Sequence, residues 1–506
     1  MPSLLPVAPH RLGVALLCLC AWLSAGDVVW AQGNLIDPVG PSAKAAGRGG
    51  ASTAVADDAL SAARNPALLT EVAPGRLDFG LVMMLDRFRE RSLSRNEVES
   101  RFLVWPVPSL GYTSDAFALE VEDDPSYDEV TDYRPSPGPY VALGLHQPVF
   151  GSMAPTLSVA YRLSPSLSVG ASLNVLLTYL NLKGGGGGVG GGGSNSFVPR
   201  GIVRVHYQPD GTPVVPPQPF DAGTGSPVTW AEIFDLADSA SGASAQPDDE
   251  NDALEFELKE VFGAGLAAAL GLLWTPREDL SVGLAFRPPG ILFNPRGKAE
   301  IDITRAIQEL EADPNVGLLI GSVVDTYLPD QGRNGFKTEF DAETDFLQTP
   351  MLVSLGVAWW PHPRWLLSLD VRWINWSLGF DRIEMEGEDP DNADLIEVNG
   401  GTDVEYTFDL GWKDQVVVAV GTTVAVADWL LLRAGYNYGS PGQPDERTTH
   451  KPFSIQHRIT FGATFRIGPA DFDVAYLYGL PIQVDKRDES FKIEQHQVVF
   501  GLGYAF

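Results

Sequence analysis

Residues 455 to 467 carry Ile455, His457, Ile459, Phe461, Ala463, Phe465 and Ile467 at every second position, with Gln456, Arg458, Thr460, Gly462, Thr464 and Arg466 between them. A period of two with one dry and one wet face is a β-strand, and ~9–11 such residues are what a barrel strand needs to cross a membrane. The same alternation runs through Leu167 to Tyr179, where Leu167, Val169, Ala171, Leu173, Val175 and Leu177 oppose Ser168, Gly170, Ser172, Asn174 and Thr178. At the chain's end Val498, Phe500, Leu502, Tyr504 and Phe506 share one parity, and the last residue is aromatic.

Such runs recur near residues 76–88, 107–117, 139–150, 155–163, 167–182, 254–274, 280–296, 345–361, 365–380, 408–427, 429–440, 454–468, 470–484 and 495–506. That is fourteen, and an even count lets both ends lie on the periplasmic side of a bacterial barrel. A soluble β-sandwich shows the same alternation strand by strand, but the count across the chain favours an all-β, 14-stranded antiparallel transmembrane β-barrel. Connection lengths alternate too. Those at 164–166, 275–279, 361–364, 427–428 and 468–470 are short, while 183–253, 297–344, 381–407 and 441–453 are long, as expected of periplasmic turns and outer loops. The acidic stretch 120–133 breaks the rule, since this count places it on the periplasmic side.

No helix competes for the crossing. The longest largely apolar run, Val261 to Trp274, is shorter than the ~20 residues a spanning helix needs. Export is expected from the first residues: His10 and Arg11 precede the apolar Leu12 to Leu23, and Ala31 ends a cleavage-like site, so 1–31 reads as a signal peptide. Both cysteines, Cys18 and Cys20, fall inside it, which leaves the mature chain without disulfides, Cys-ligated metal or a Cys nucleophile. The formal charge of -30 argues against nucleic acid as a partner.

Several stretches resemble the FadL/TodX family of outer-membrane transporters of long-chain fatty acids and aromatic hydrocarbons. GRGGASTAVADDALSAARNPALL resembles the family's N-terminal hatch with its Asn-Pro-Ala signature, and AYRLSPSLSVGASLNVLL its fourth and fifth strands. TPMLVSLGVAWWPHPRWLLSLDVRWINWS resembles its eighth and ninth, and WKDQVVVAVGTTVAVADWLLLRAGYNYGSP its tenth and eleventh. The resemblance implies a hatch over 32–70 inside a barrel over 71–506, in the bacterial outer membrane. Passive uptake of hydrophobic small molecules would then proceed by loop capture, lumen binding and sideways exit. Implied partners are such a cargo, outer-membrane lipid and lipopolysaccharide, and the barrel-assembly machinery acting on the strand that ends in Phe506. No cofactor or metal is expected.

Residues for each step follow. Gly47, Gly49 and Gly50 are small enough for a plug to pack against a lumen wall, Asp57 lies in the same stretch, and Asn65, Pro66 and Ala67 are suited to turn the chain toward the first strand. A flexible N-terminus is the bland alternative. For capture, Trp230 and Phe234 share a helical face beyond the Gly-rich tract at 183–196, and Leu318, Leu319 and Ile320 are very apolar for an outer loop. They either line a groove or pack loop on loop. For exit, Pro148, Phe150 and Gly151 suit either a break in the third strand or a plain strand end. Arg433, Arg458 and Arg466 point inward by parity and can pair with a cargo carboxylate, or belong to an ion network with Asp370, Arg372 and Asp409. The acidic loops at 246–255 and 384–397 show no regular metal-ligand spacing.

Six mature histidines are scattered, with no Gly-x-Ser-x-Gly elbow or His-Glu-x-x-His helix, so no enzymatic activity is expected. The rival reading is a barrel of the same fold that has lost transport and serves secretion, adhesion or assembly through its loops. A general porin fits poorly with a plug-like N-terminus.

Overall fold

A computed structural model of the chain describes residues 33–34, 37–92, 98–99, 103–114, 138–146, 152–185, 229–230, 233, 255–312, 314, 317–330, 332–344, 347–409, 411–442, 455–485 and 489–506. The wall strands are β1 (Arg76–Ser92), β2 (Leu103–Thr113), β3 (Tyr140–His146), β4 (Ser152–Ser164), β5 (Leu167–Gly185), β6 (Glu255–Arg277) and β7 (Leu280–Arg287). They continue with β8 (Met351–His362), β9 (Trp365–Asn375), β10 (Gln415–Ala427), β11 (Leu430–Gly439), β12 (His457–Ile467), β13 (Ala470–Asp485) and β14 (Glu489–Ala505). Each pairs antiparallel with the next, and β14 pairs with β1 from Glu489 opposite Ser92 to Ala505 opposite Arg76, closing a 14-stranded barrel. Closure pairs the first wall strand with the last, so neither terminal strand is left as an edge toward lipid.

Side-chain parity follows the sequence pattern. On β12, Ile459, Phe461, Phe465 and Ile467 are exposed on the outer surface while Arg458, Thr460 and Thr464 are buried inside. On β5, Leu173, Val175 and Leu177 face out and Ser168, Ser172 and Asn174 face in. Trp274, Trp359, Trp365 and Trp429 are exposed beside the short turns and mark an aromatic belt at the end of the barrel where the chain closes. The 115–137 connection leaves from this end, because Thr113 pairs with Arg76, but its residues lie outside the described ones.

The wall departs from the sequence expectation on its outer side. The seventh strand stops at Arg287 instead of running to 296: Pro288 and Pro289 cannot donate to a ladder, and Gly290 turns to exchange hydrogen bonds with Thr349 (2.8 and 3.0 Å). The chain then forms a new strand, Ile291–Asp302, on the outer half of β6. β8 starts at Met351 rather than 345, β9 gives way to one helical turn, and β10 starts at Gln415 rather than 408. Residues Val404–Asp409 belong to a sheet outside the wall.

That outer sheet runs from the outer half of β6 through Ile291–Asp302, Lys337–Thr344, Arg382–Glu388 and Val404–Asp409. Helix α1 (Ala43–Gly47) belongs to the N-terminal segment; α2 (Thr304–Ala312), α3 (Gly317–Tyr327), α4 (Ser377–Phe380) and α5 (Ala393–Asn399) lie on the outer side. One core of Ile301, Ile307, Val323, Phe340, Met385 and Val398 joins α2, α3 and α5 to the outer sheet. The Asp394 carboxylate accepts from the amides of Asp330 (2.7 Å) and Gly332 (2.9 Å), pinning the neighbouring turn. Two long loops thus form a packed outer module. Among the described residues, no helix is long and apolar enough to cross a membrane.

Candidate functional site: the lumen segment and the cavity beside it

Residues 37–72 sit within the ring of strands and touch inward-facing positions around most of its circumference. The fit depends on wall glycines. A Cβ on Gly435 would lie 2.2 Å from the Arg48 carbonyl carbon, on Gly283 2.1 Å from the Thr53 oxygen, and on Gly170 2.5 Å from the Pro66 carbonyl carbon. Backbone therefore meets backbone, as Gly47 does against Gly462. Gly49 and Gly50 take φ of 71° and 88°, where side chains are strained, and carry the chain out of α1.

Polar groups lock the segment in register. Asp370 on β9 accepts from the amides of Ser52 and Thr53 (both 2.9 Å) and from the Thr53 hydroxyl (2.7 Å). Asp78 on β1 accepts from the Ala59 amide (2.9 Å). Asn437 and Thr460 donate to the carbonyls of Gly49 and Gly47 (both 2.9 Å). Asn65 is extended (φ −146°, ψ 106°), caps the Ala67 amide of the 3-10 turn that Pro66 begins, and donates to Thr53 O (2.8 Å) and, on β6, Leu272 O (3.1 Å). Its single side chain ties segment, turn and wall together.

Charges inside the segment are paired. Arg48 forms a two-point ion pair with Asp57, one arm at 3.0 Å. Burial works against the charge on Asp57, and Arg48 outweighs it, holding the carboxyl below the usual carboxylate range. Asp58 is different: burial and the neighbouring Asp78 carboxylate push its carboxyl up to about 6. Lys44 binds Asp471 on β13 at 2.8 Å. The three arginines expected to await a cargo carboxylate are engaged by the protein: Arg433 donates to Thr464 (2.6 Å), Arg458 to Ile455 O (2.8 Å) and Gln495 (3.3 Å), and the half-exposed Arg466 lies 3.7 Å from Asp471. Of the expected network, Asp370 and Arg372 do face the lumen; Asp409 belongs to the outer sheet instead, because β10 starts later than its alternation suggested.

A cavity of ≈ 70 Å³ lies between the segment and the wall. Its lining combines apolar Val82, Met84, Val107, Leu477 and Val499 with charged or titratable Asp37, Arg64, His146 and Arg287, and includes polar Ser109 and Gln497 on the strands of Val107 and Val499. Asp37, itself 2% exposed, meets three guanidinium groups: Arg372 at 2.8 Å, Arg287 at 3.5 Å and Arg64 at 3.7 Å. Sequence reading did not single out this cluster, whose members come from the segment, β7 and β9.

The remaining expected residues are placed as follows. Trp230 and Ile320 are each 1% exposed in the core of the outer module, whereas Leu318 is 95% exposed. The Leu319 side chain and Phe234 lie outside the described residues, as do Pro148, Phe150 and Gly151. The described part of β3 ends at His146, which lines the cavity.

A closed barrel with an apolar belt, a lumen occupied by its own N-terminal segment and an amphipathic cavity beside that segment defines an occluded outer-membrane β-barrel. The model of the outer membrane protein transport protein family (OMPP1/FadL/TodX) matches residues 144–504, and the chain belongs to that family in the bacterial outer membrane. Its fold is similar to the Pseudomonas putida toluene transporter TodX, at 16% identity over 93% of this chain and 99% of that one, with a TM-score of 0.58. A Pseudomonas aeruginosa FadL homologue gives 15% identity over 94% and 100%, with a TM-score of 0.55. The Ralstonia pickettii toluene transporter TbuX gives 14% over 92% and 99%, with a TM-score of 0.53. No curated protein sequence matches the chain.

Proposed function

We propose that this protein is a passive channel through which hydrophobic small molecules enter the cell, with residues 37–72 as its gate, and that it has no catalytic activity. The observation that carries the reading is the cavity between segment and wall, lined by both apolar and charged side chains. An apolar cavity of ~150 Å³ holds a benzene. At ≈ 70 Å³ this one is too small for an aromatic or acyl cargo until the segment shifts, which ties cargo entry to gate movement. The similar structures are toluene transporters and a FadL homologue, which supports a hydrophobic cargo.

In this reading the outer module presents Leu318 to arriving cargo, and the cavity binds it. Exit is sideways near His146, where 147–151 join β3 to β4. The ladder between β7 and β8 ends at Arg287, just ahead of Pro288 and Pro289. The deciding test is uptake of radiolabelled long-chain fatty acid and of toluene by a transport-deficient host, comparing the intact chain with a deletion of residues 33–53. Saturable uptake by the intact chain that changes on deletion supports the channel. No uptake of either compound by a folded, surface-exposed barrel favours the scaffold reading. The density of ion pairs and hydrogen bonds fixing the segment is the observation in the scaffold's favour.

A further inference from the structure

Beside the seam where the barrel closes, the lipid-facing parity of three wall strands changes character at one height. On β1 the partly exposed positions from Leu77 to Leu85 are apolar, and the same parity continues as Arg87, Arg89 and Arg91. On β12 the exposed Ile467, Phe465, Phe461 and Ile459 give way to His457, and on β14 Phe506, Tyr504, Leu502 and Phe500 lead to His496. Ten positions separate Leu77 from Arg87, Ile467 from His457 and Phe506 from His496. At a rise of ~3.4 Å per residue and a tilt of ~40°, ten positions climb ~26 Å, which matches the ~25 Å apolar band of an outer-membrane barrel. The change therefore falls at the headgroups of the outer leaflet.

Each histidine is held by a tyrosine of the preceding strand. The Tyr436 hydroxyl meets His457 Nδ1 at 2.5 Å, and the Tyr476 hydroxyl meets His496 Nδ1 at 2.6 Å. A neutral imidazole nitrogen accepts a hydrogen bond far better than a phenol oxygen does, so the hydroxyl donates and the ring proton stays on Nε2. His496 Nε2 lies 3.4 Å from Glu494. His457 Nε2 has no partner among the described residues and is left as a donor at the rim.

Register brings charge to the same place. Arg87, Arg89 and Arg91 stand opposite Glu494, Lys492 and Ser490 of β14, and Glu99 stands opposite Arg89 on its other side. Four basic positions thus face two acidic ones, in a chain that has 35 basic and 65 acidic residues overall. Like charges directly opposite, as at Arg89 and Lys492, destabilise a bare ladder. An anion shared between them reverses that sign. With strands ~4.8 Å apart, the three steps from β12 to β1 span ~14 Å. A disaccharide with a phosphate at each end covers that span, and a single phospholipid headgroup does not. From this geometry we infer that the outer rim of the β14–β1 seam is a docking surface for lipopolysaccharide. The phosphates of its lipid anchor are taken at the positions of Arg89, Arg91 and Lys492 and by His457 Nε2. Its acyl chains lie over Phe461 and Phe500 below. The inference is independent of what the lumen carries.

The test measures binding of radiolabelled lipid A to the purified full-length protein in a nonionic detergent. Dephosphorylated lipid A and phosphatidylglycerol serve as probes that lack the phosphates or the disaccharide. Lipid A is expected to bind saturably, and each of the other two at least tenfold more weakly. Replacing Arg89, Arg91 and Lys492 together by Gln should weaken lipid A binding at least tenfold, since hydrogen bonds to charged groups are at stake. His457→Phe, which keeps a ring at the headgroups and removes the donor, should weaken it about threefold. Arg277→Gln with Arg364→Gln, which removes exposed charges at the opposite rim, should change it less than twofold. Equal binding of dephosphorylated lipid A overturns the inference, as does an equal loss in the opposite-rim variant. Equal binding of phosphatidylglycerol overturns it too, in favour of a general surface for anionic lipid. If the triple variant fails to give a heat-modifiable barrel, Lys492→Gln and His457→Phe decide singly, and full lipid A affinity in both overturns the inference.

Discussion

Arg48 and Asp57 form a two-point ion pair inside the barrel, nine residues apart, and the Arg48 backbone rests against two wall glycines, Gly421 and Gly435. The pair bends the segment back on itself where it meets the wall. The charges in the segment and the glycines in the wall are thus two halves of one fit.

Removing one partner leaves an uncompensated buried charge, worth roughly 3–5 kcal/mol. Asp57→Ala is therefore expected to release the segment while leaving the barrel closed. Ion conductance in planar bilayers should rise severalfold, with the heat-modifiable electrophoretic mobility of the folded barrel retained. Unchanged conductance means that the pair does not hold the segment.

The glycine fit predicts steric unseating. Gly435→Val adds atoms where even a Cβ would be 2.2 Å from the Arg48 carbonyl carbon, so the segment must move and conductance should rise as with Asp57→Ala. Gly321→Ala in α3 is the control: nothing lies within 4 Å of its Cβ, and helix propensity favours Ala by ~1 kcal/mol. It should leave conductance and uptake unchanged.

Asn65→Ala removes a cap and two anchoring hydrogen bonds at once. The cap alone contributes about 0.5–2 kcal/mol. Limited proteolysis should then cleave within 53–72 in the folded protein, where the unmodified chain resists. Asn65→Asp keeps the cap but loses the donor to Thr53 and Leu272, and should fall between the two.

Asp58 gives the segment a pH dependence. Its folded pKa, about 6, is above the ordinary carboxyl value, so the folded state holds the extra proton. Seating is accordingly favoured as pH falls through 6 and is weakened as pH rises through it. The groups facing Asp58 are Asp78, Asp57, Lys44, Ser42 and Ser61, with Arg48, Arg433 and Asp473 also within electrostatic reach, and the carboxyl of Asp57 is held low by Arg48. Basal conductance should be lower at pH 5 than at pH 7.5. Asp58→Asn should show the low value at both; a slope that survives this substitution assigns the dependence elsewhere.

Trp230→Ala empties a site in the core of the outer module, a loss of about 3–5 kcal/mol. Uptake should fall with the barrel intact. Leu318→Asp, on an exposed side chain, should leave module stability unchanged and raise only the cargo concentration needed for half-maximal uptake.

Alternation made the wall legible, because a period of two with a lipid-facing side leaves a strong signal in β5, β12 and β14. It misled at residues 280–296, where Leu280, Val282, Leu284 and Phe286 are followed by the equally apolar Ile291. The strand reads through, yet Pro288 and Pro289 stop it. The outer sheet was hidden for a related reason: Val404–Asp409 alternates like a wall strand and differs only in its neighbour, Arg382–Glu388. Gly47, Gly49, Gly50 and the Asn65 turn could be singled out because small residues and Asn-Pro carry local meaning. The Asp37 cluster could not, since Arg287 and Arg372 reach it from more than two hundred residues away, and nothing local marks either side chain.

The ladder between β1 and β14 has a consequence for biogenesis. These are the first and last wall strands along the chain, so the outer edge of the first stays unpaired until the last has been placed beside it. Closure is the most non-local contact the wall makes, and slow, edge-exposed intermediates are the price of such topology. A chain shortened within β14 would keep thirteen strands and leave two open borders, each a template for pairing with another chain.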